Sequence, residues 1–255
     1  FVLPISGAEC RSNIELDFSA IDMIVHCAGI SRVSKKDSSQ QIRLVNTELP
    51  CRLAERAANF GVRRFIFVSS IKVHGEQNKD GQIFTEKTAY APRDAYAESK
   101  MQAEIKLYEN ARRTGLELSV LRLPVVYGHP AGGNIQRLAK LIETRLPLPF
   151  GGLSNRRSML ALSNLCDVVR VCIEKNEVAN QTFLISDNEA VSTKQLIEKI
   201  ASALCIPVRL FCVDKRILLG LFFLVGRQNE GTKLVETLVV DCSKFQTMVD
   251  WTPPV

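Results

Sequence analysis

Tyr96-Ala97-Glu98-Ser99-Lys100 places a phenol and an ammonium at positions i and i+4, on one face if the segment is helical. A lysine ammonium beside a phenol favours the phenolate and draws its pKa down from about 10 toward working pH. A tyrosine tuned in this way can take a proton from an alcohol or sugar hydroxyl, or return one to it. The spacing alone arises often by chance. It gains weight from Arg63-Arg64-Phe65-Ile66-Phe67-Val68, which runs as a strand into Ser69-Ser70. A hydroxyl at that strand end could hydrogen-bond the oxygen that reacts.

These groups need a frame, and the hydrophobic pattern supplies one. Ile21–Ala28 is a nearly continuous apolar run of strand length, as expected of a parallel strand covered on both faces. Leu44, Leu49, Leu53 and Ala57 predict a helix over about 38–60, stopped at Gly61. A strand at Phe65–Ser69, a long helix at Asp94–Thr114 ended by Gly115, and a strand at Leu116–Leu123 follow. This alternation predicts an α/β fold with a doubly wound parallel sheet. Beyond Tyr127-Gly128 the texture changes to Gly- and Pro-rich loops. Asn134 there opens a helix, Leu165–Lys175 reads as a helix, and Thr182–Ser186 as a strand returning to the sheet. Ser192 caps a further helix through Leu204, and the remainder forms a smaller mixed lobe. The organisation expected is a dinucleotide-binding domain of 1–128 and about 163–186, with a substrate lobe of about 129–162 and 187–255.

The 255 residues are 46% hydrophobic and 24% charged, which are globular values. The net charge of +6 carries no block of like charges, and without an aromatic-basic motif it argues against a nucleic-acid partner. It suits a small anionic substrate such as a nucleotide diphosphate. The eight cysteines form no CxxC and no cluster with zinc spacing, so no metal site is expected. Reduced thiols in a cytoplasmic protein are the natural reading. Ile217–Val225, the longest apolar run, is too short to span a bilayer and reads as a buried helix. The chain begins at Phe1 without an initiator methionine and ends at Val255, which reads as trimmed at both ends.

Ser69-Ser70-Ile71-Lys72-Val73-His74-Gly75, Tyr96 with Lys100, and Arg122-Leu123-Pro124-Val125-Val126-Tyr127-Gly128 together resemble the extended short-chain dehydrogenases. More narrowly they resemble the NAD-dependent epimerase/dehydratase family acting on nucleotide sugars. Asn155-Arg156-Arg157-Ser158, Asn164-Leu165-Cys166-Asp167 and the ending Asp241…Trp251-Thr252-Pro253-Pro254 are similar to bacterial UDP-glucose 4-epimerases of that family. The order and spacing hold from about Ile21 to Val255.

The resemblance implies roles. Tyr96 would be the acid/base, Lys100 would hold the nicotinamide ribose and tune Tyr96, and Ser70 would bind the reacting oxygen. Ala28, Gly29, Asn46, Ser69 and Pro124 would join Tyr96 and Lys100 on the cofactor side. Ser70, Asn134 and Arg157 would meet the substrate, Arg157 at its diphosphate with Arg156 as its neighbour. His26 and His74 read as structural. NAD is the cofactor implied, with NADP open. A UDP-sugar is the substrate, and a homodimer through helices 38–60 and 94–114 is the assembly.

Departures narrow the reading. Dehydratases of the family carry an Asp-Glu pair where Ile71 and Lys72 stand, which argues against a 4,6-dehydratase. Val125 replaces an asparagine found in many epimerases. A Gly-x-x-Gly-x-x-Gly turn for the cofactor pyrophosphate occurs nowhere in the chain, which implies that a first β–α–β segment is missing. The residues leave three functions open: a UDP-hexose 4-epimerase, an NAD(P)H-dependent UDP-4-keto-hexose reductase, and a non-catalytic nucleotide-sensing module.

Overall fold

A short apolar run followed by a capped helix, repeated, is the local grammar of the first half of this chain. In the computed structural model, which describes residues 17–31, 38–78, 81–128, 134–224 and 226–255, strand β1 spans Met23–His26. Helices α1 (Ser39–Arg43) and α2 (Leu49–Asn59) follow, then β2 (Arg64–Ser70), α3 (Ala95–Thr114) and β3 (Glu117–Leu123). The second half contains β4 (Val125–Tyr127), α4 (Asn134–Glu143), β5 (Arg157–Ala161), α5 (Leu162–Glu174), β6 (Thr182–Leu184) and β7 (Ala190–Val191). It ends with α6 (Thr193–Ala203), α7 (Lys215–Leu224), α8 (Gln228–Val235) and α9 (Ser243–Val249).

The main sheet is parallel with the order β1-β2-β3-β6. One face packs Phe65, Phe67, Leu118 and Val120 against Ala54, Ala57, Ala103 and Leu107 of α2 and α3. The other packs Ile66, Leu121 and Phe183 against Val168 and Cys172 of α5 and Phe245 of α9. The sheet is therefore doubly wound, and the return of β6 beside β3 agrees with the pattern. Pro124 follows β3, and with no N–H it ends the ladder there. The chain then enters a second sheet, in which β4 runs parallel to β5 and β5 antiparallel to β7.

Helix α3 matches its sequence signals closely. Asp94 accepts from the Ala97 amide at 2.7 Å, and Gly115 closes the helix in the left-handed region at φ 78. The expected helix over 38–60 forms as a continuous helical run over 39–59, with a π turn inside it that the pattern did not announce. Ser38 caps α1, and a π turn at Leu44–Glu48 separates it from α2. The extra residue of the π turn lets adjacent Asn46 and Thr47 both reach α3. Asn46 Nδ2 donates to Ser99 Oγ at 3.0 Å and Thr47 Oγ1 to the Ser99 carbonyl at 2.8 Å.

The apolar run Ile217–Val225 also departs from expectation. Its residues 217–224 lie in α7, where only Leu218 is buried, while Ile217, Leu221, Phe223 and Leu224 are 58%, 52%, 63% and 80% exposed, and Val225 lies outside the described residues. One stripe, Leu218 with Leu219 and Phe222, joins a hydrophobic cluster with Leu138, Ile142 and Val235, and the rest of the helix surface faces outward.

Candidate active site

The carboxyl ends of β1, β2 and β3 lie at one edge of the parallel sheet, where such sheets present their ligand crevice. Ser70 ends β2 and caps the short 3-10 turn Ile71–His74, its Oγ accepting from the Lys72 amide at 3.3 Å. Tyr96 sits in the first turn of α3, where its phenol is near enough to feel the Ser70 hydroxyl at the end of β2. The fold thus brings together two hydroxyl groups 26 positions apart in sequence.

The electrostatics around the phenol differ from the sequence expectation. Burial pushes Tyr96 above the ordinary tyrosine value, while the Ser70 hydrogen bond and the charge of Lys72 draw it back and Asp94 opposes them. Lys100 is not among these influences. Its Nζ donates to the Val68 carbonyl at 2.9 Å and lies 4.5 Å from the centre of the Phe67 ring. Residues i and i+4 share a face of α3 here, but the ammonium reaches toward the sheet rather than toward the phenol. Burial lowers Lys100 itself to about 8, against the opposing pull of Glu104 and Cys27.

Ala28 and Gly29 are exposed beyond the end of β1. Asn46 shapes that loop: its Oδ1 accepts from the Ile30 amide at 2.8 Å and its Nδ2 donates to the Ile30 carbonyl at 3.1 Å. A Cβ on Gly29 would lie 3.2 Å from Asn46 Oδ1 and 3.5 Å from Lys100 Nζ. Gly29 therefore leaves open a niche walled by Asn46 and Lys100. His26, one turn of the backbone earlier, is buried and stacked on Phe65 and Phe67 at 6.0 and 5.8 Å. Neither of its ring nitrogens has a partner among the described residues.

Beneath this edge lies a buried network that sequence reasoning missed. Glu104, one further turn along the Tyr96–Lys100 face, is wholly buried. It accepts from Ser69 Oγ, from Tyr90 Oη at 2.8 Å and from Arg122 Nη2 at 2.6 Å. Arg122 also contacts His74 Nε2 at 2.9 Å and donates to Tyr90 Oη at 2.8 Å. Ser69 thereby turns its hydroxyl inward, leaving its backbone as what it can offer a ligand. His74 is structural, as expected. The signal for Glu104 was its place at i+8 from Tyr96, beside a strand carrying Arg122.

Arg157, at the start of β5, donates to the Glu236 carbonyl at 3.2 Å. Burial lowers it, with Glu76 and Glu236 pulling the other way. Glu76 is also 2.6 Å from Lys72, so charges run from Arg157 through Glu76 and Lys72 toward Tyr96. Arg156 is exposed, and Pro124 is buried between the two sheets. Asn134 opens α4, but its side chain lies outside the described residues. No described helix is long and apolar enough to cross a membrane.

Residues 8–186 match the model of the NAD dependent epimerase/dehydratase family. A UDP-glucose 4-epimerase of Vibrio cholerae is 35% identical over 259 residues, spanning 98% of this chain and 77% of that protein. An N-acetyl-alpha-D-glucosaminyl-diphospho-ditrans,octacis-undecaprenol 4-epimerase of Escherichia coli O157:H7 is 27% identical over 148 residues, 56% of this chain and 43% of its own. Among solved structures, the UDP-glucuronic acid 4-epimerase of Bacillus cereus in complex with NAD superposes with a TM-score of 0.74 at 18% identity. That match covers 94% of this chain and 73% of the other. The UDP-glucose 4-epimerase of Thermotoga maritima with UDP-glucose gives 0.71 at 20% identity, over 92% and 72%. At those identities the structural likeness establishes the fold.

Proposed function

Because this chain belongs to the NAD-dependent epimerase/dehydratase family, we propose that it is a nucleotide-sugar epimerase inverting C4 of a UDP-hexose, UDP-glucose foremost. The observation that carries this reading is that β2 and α3 bring Ser70 and Tyr96 together at the carboxyl edge of the sheet, where the Ser70 hydroxyl acts on the phenol. Tyr96 would accept the C4 hydroxyl proton and later return it, while Ser70 would hold the reacting oxygen in line. Arg157, partly buried on β5, would meet the diphosphate with its guanidinium fork, Arg156 lying beside it and Asn134 on α4 contacting the substrate.

The residues at the end of β1 fit the nicotinamide-ribose side of NAD. The niche at Gly29 would lose its room to any side chain, and Lys100 Nζ, hydrogen-bonded to the Val68 carbonyl, has donors left for a ribose hydroxyl. Ala28, Asn46, Ser69 and Pro124 would complete that wall. When bound, NAD supplies a hydride acceptor and donor for C4. Epimerisation is redox-neutral, so the cofactor need not be replaced between turnovers.

In this proposal the residues 1–128 and about 163–186 form the dinucleotide half, with about 129–162 and 187–255 as the substrate lobe. Two copies would pair through α2 and α3 in the cytoplasm, a dimer readable by light scattering. The function is tested by incubating the purified protein with UDP-glucose and catalytic NAD and following the sugar by NMR. UDP-galactose formed without net NADH is the expected result. Stoichiometric NAD(P)H oxidation by a UDP-4-keto-hexose would replace the epimerase with the reductase. Binding of nucleotide sugar without turnover of either would leave the sensing module.

A further inference from the structure

Lys72 stands where dehydratases of the family carry an acid, at the junction between the Ser70 turn and α3. Its position is specific. It follows Ser70 by two residues, and its amide donates to Ser70 Oγ. Its ammonium lies 2.5 Å from Asp94 Oδ2 and 2.6 Å from Glu76 Oε1. Asp94 is the N-cap of α3, its other carboxylate oxygen holding the Ala97 amide at 2.7 Å. Tyr96 is the second residue of that helix.

Resting on the epimerase reading above, we propose that Lys72 is a positioning residue: it ties the turn carrying Ser70 to the cap of the helix carrying Tyr96, so that the two hydroxyls stay facing one another at the sheet edge. The two anchor points come from different elements, β2 and α3, and neither the π turn nor the sheet ladder joins them at this edge. The lysine side chain is three-quarters covered, with a relative exposure of 24%. An exposed ion pair would contribute little. Here one cation lies between two carboxylates, and its removal would take away their shared counter-charge, leaving Asp94 with Lys233 and Glu76 with Arg157 as their remaining cations.

The charge also acts on Tyr96 directly. The groups facing the phenol are Ser70 and Lys72 from the β2 side and Asp94 from its own helix. Lys233 of α8 acts on Asp94. Burial raises the phenol, and Lys72 is the cation that opposes this. Lys72 thus does for Tyr96 the electrostatic work that the i+4 spacing assigned to Lys100.

The test compares the wild type with K72M and K72R. Tyr96 is titrated by phenolate absorbance, with Y96F subtracted, and kcat and KM for UDP-glucose are followed across pH. K72M should raise the Tyr96 midpoint by about half a unit to one unit, the scale of one charge a few ångströms away under partial screening. It should lower kcat about tenfold through lost alignment, with KM nearly unchanged. K72R should restore both. K72Q keeps a donor without the charge and gives the same comparison if K72M does not fold. A Tyr96 midpoint unmoved in the uncharged variants, or a fall in melting temperature with kcat intact, would overturn the proposal. An inactive wild type would overturn the epimerase reading instead, while the titration would still decide the role of Lys72.

Discussion

The inward face of α3 has two ends that treat polar groups in opposite ways. At Glu104 the polar groups are paired: the carboxylate serves Ser69, Tyr90 and Arg122, and Arg122 in turn serves His74 and Tyr90. At the edge facing β1 the pairing is thin. His26 has no hydrogen bond among the described residues, and Lys100 holds a single carbonyl. A saturated buried network fixes geometry, because any member left alone would cost its full desolvation. Groups with spare hydrogen-bonding capacity at a sheet's carboxyl edge can instead serve a ligand. One end of the helix therefore holds the fold, and the other is free to do chemistry.

The largest effects should separate the two ends by kind. Y96F should cut turnover about a thousandfold, within the range for loss of a general acid/base, with binding and melting temperature nearly unchanged. E104A should do the reverse: it strands the buried Arg122 guanidinium, at a cost of about 3–5 kcal/mol of stability. Denaturant titration and steady-state kinetics on both variants would check this. Loss of stability in Y96F, or an unperturbed melt in E104A, would break the contrast.

Legibility followed the same division. The Tyr96–Lys100 spacing, the Asp94 cap and the Gly115 stop could be read directly, because capping and helical periodicity are local. Glu104 could not, since a glutamate on a charged helix reads as solvated until Arg122 arrives from a strand 18 positions later. The i+4 rule placed Lys100 on the right face but could not tell where its flexible ammonium would end. The π turn escaped notice because its residues keep nearly helical spacing. In α7 the apolar content suggested burial, yet only one stripe of a helix need meet the core.

His26 offers a pH test of the thin end. Burial lowers it to about 4, and Lys100 adds to that. Above the unfolded value near 6.5 the ring is neutral in both states and contributes nothing to pH dependence. As pH falls from there toward 4, the unfolded chain takes up the proton first, so folding loses stability. The loss should approach about 3 kcal/mol at most. H26F should flatten the melting temperature between about pH 6.5 and 4, and an unchanged slope would mean that other groups set the acid limb.

Gly29 gives the finest distinction between the two ends. G29A needs no unusual backbone, since Gly29 is not among the glycines with positive φ. The residue itself is exposed. The added methyl would nonetheless lie 3.2 Å from Asn46 Oδ1 and 3.5 Å from Lys100 Nζ, inside the niche that the fold keeps open. A methyl occupying space that the ligand needs costs about 1–2 kcal/mol of binding, or roughly a tenfold loss of affinity, separately from any strain it puts on Asn46 in the free protein. Asn46 cannot yield freely, because both its amide atoms hold the Ile30 backbone. Calorimetric titration with NAD should show about tenfold weaker binding in G29A, with the strain at Asn46 read separately as a small fall in melting temperature. Equal affinity would mean that the cofactor does not use this niche, and the thin end of α3 would need another explanation.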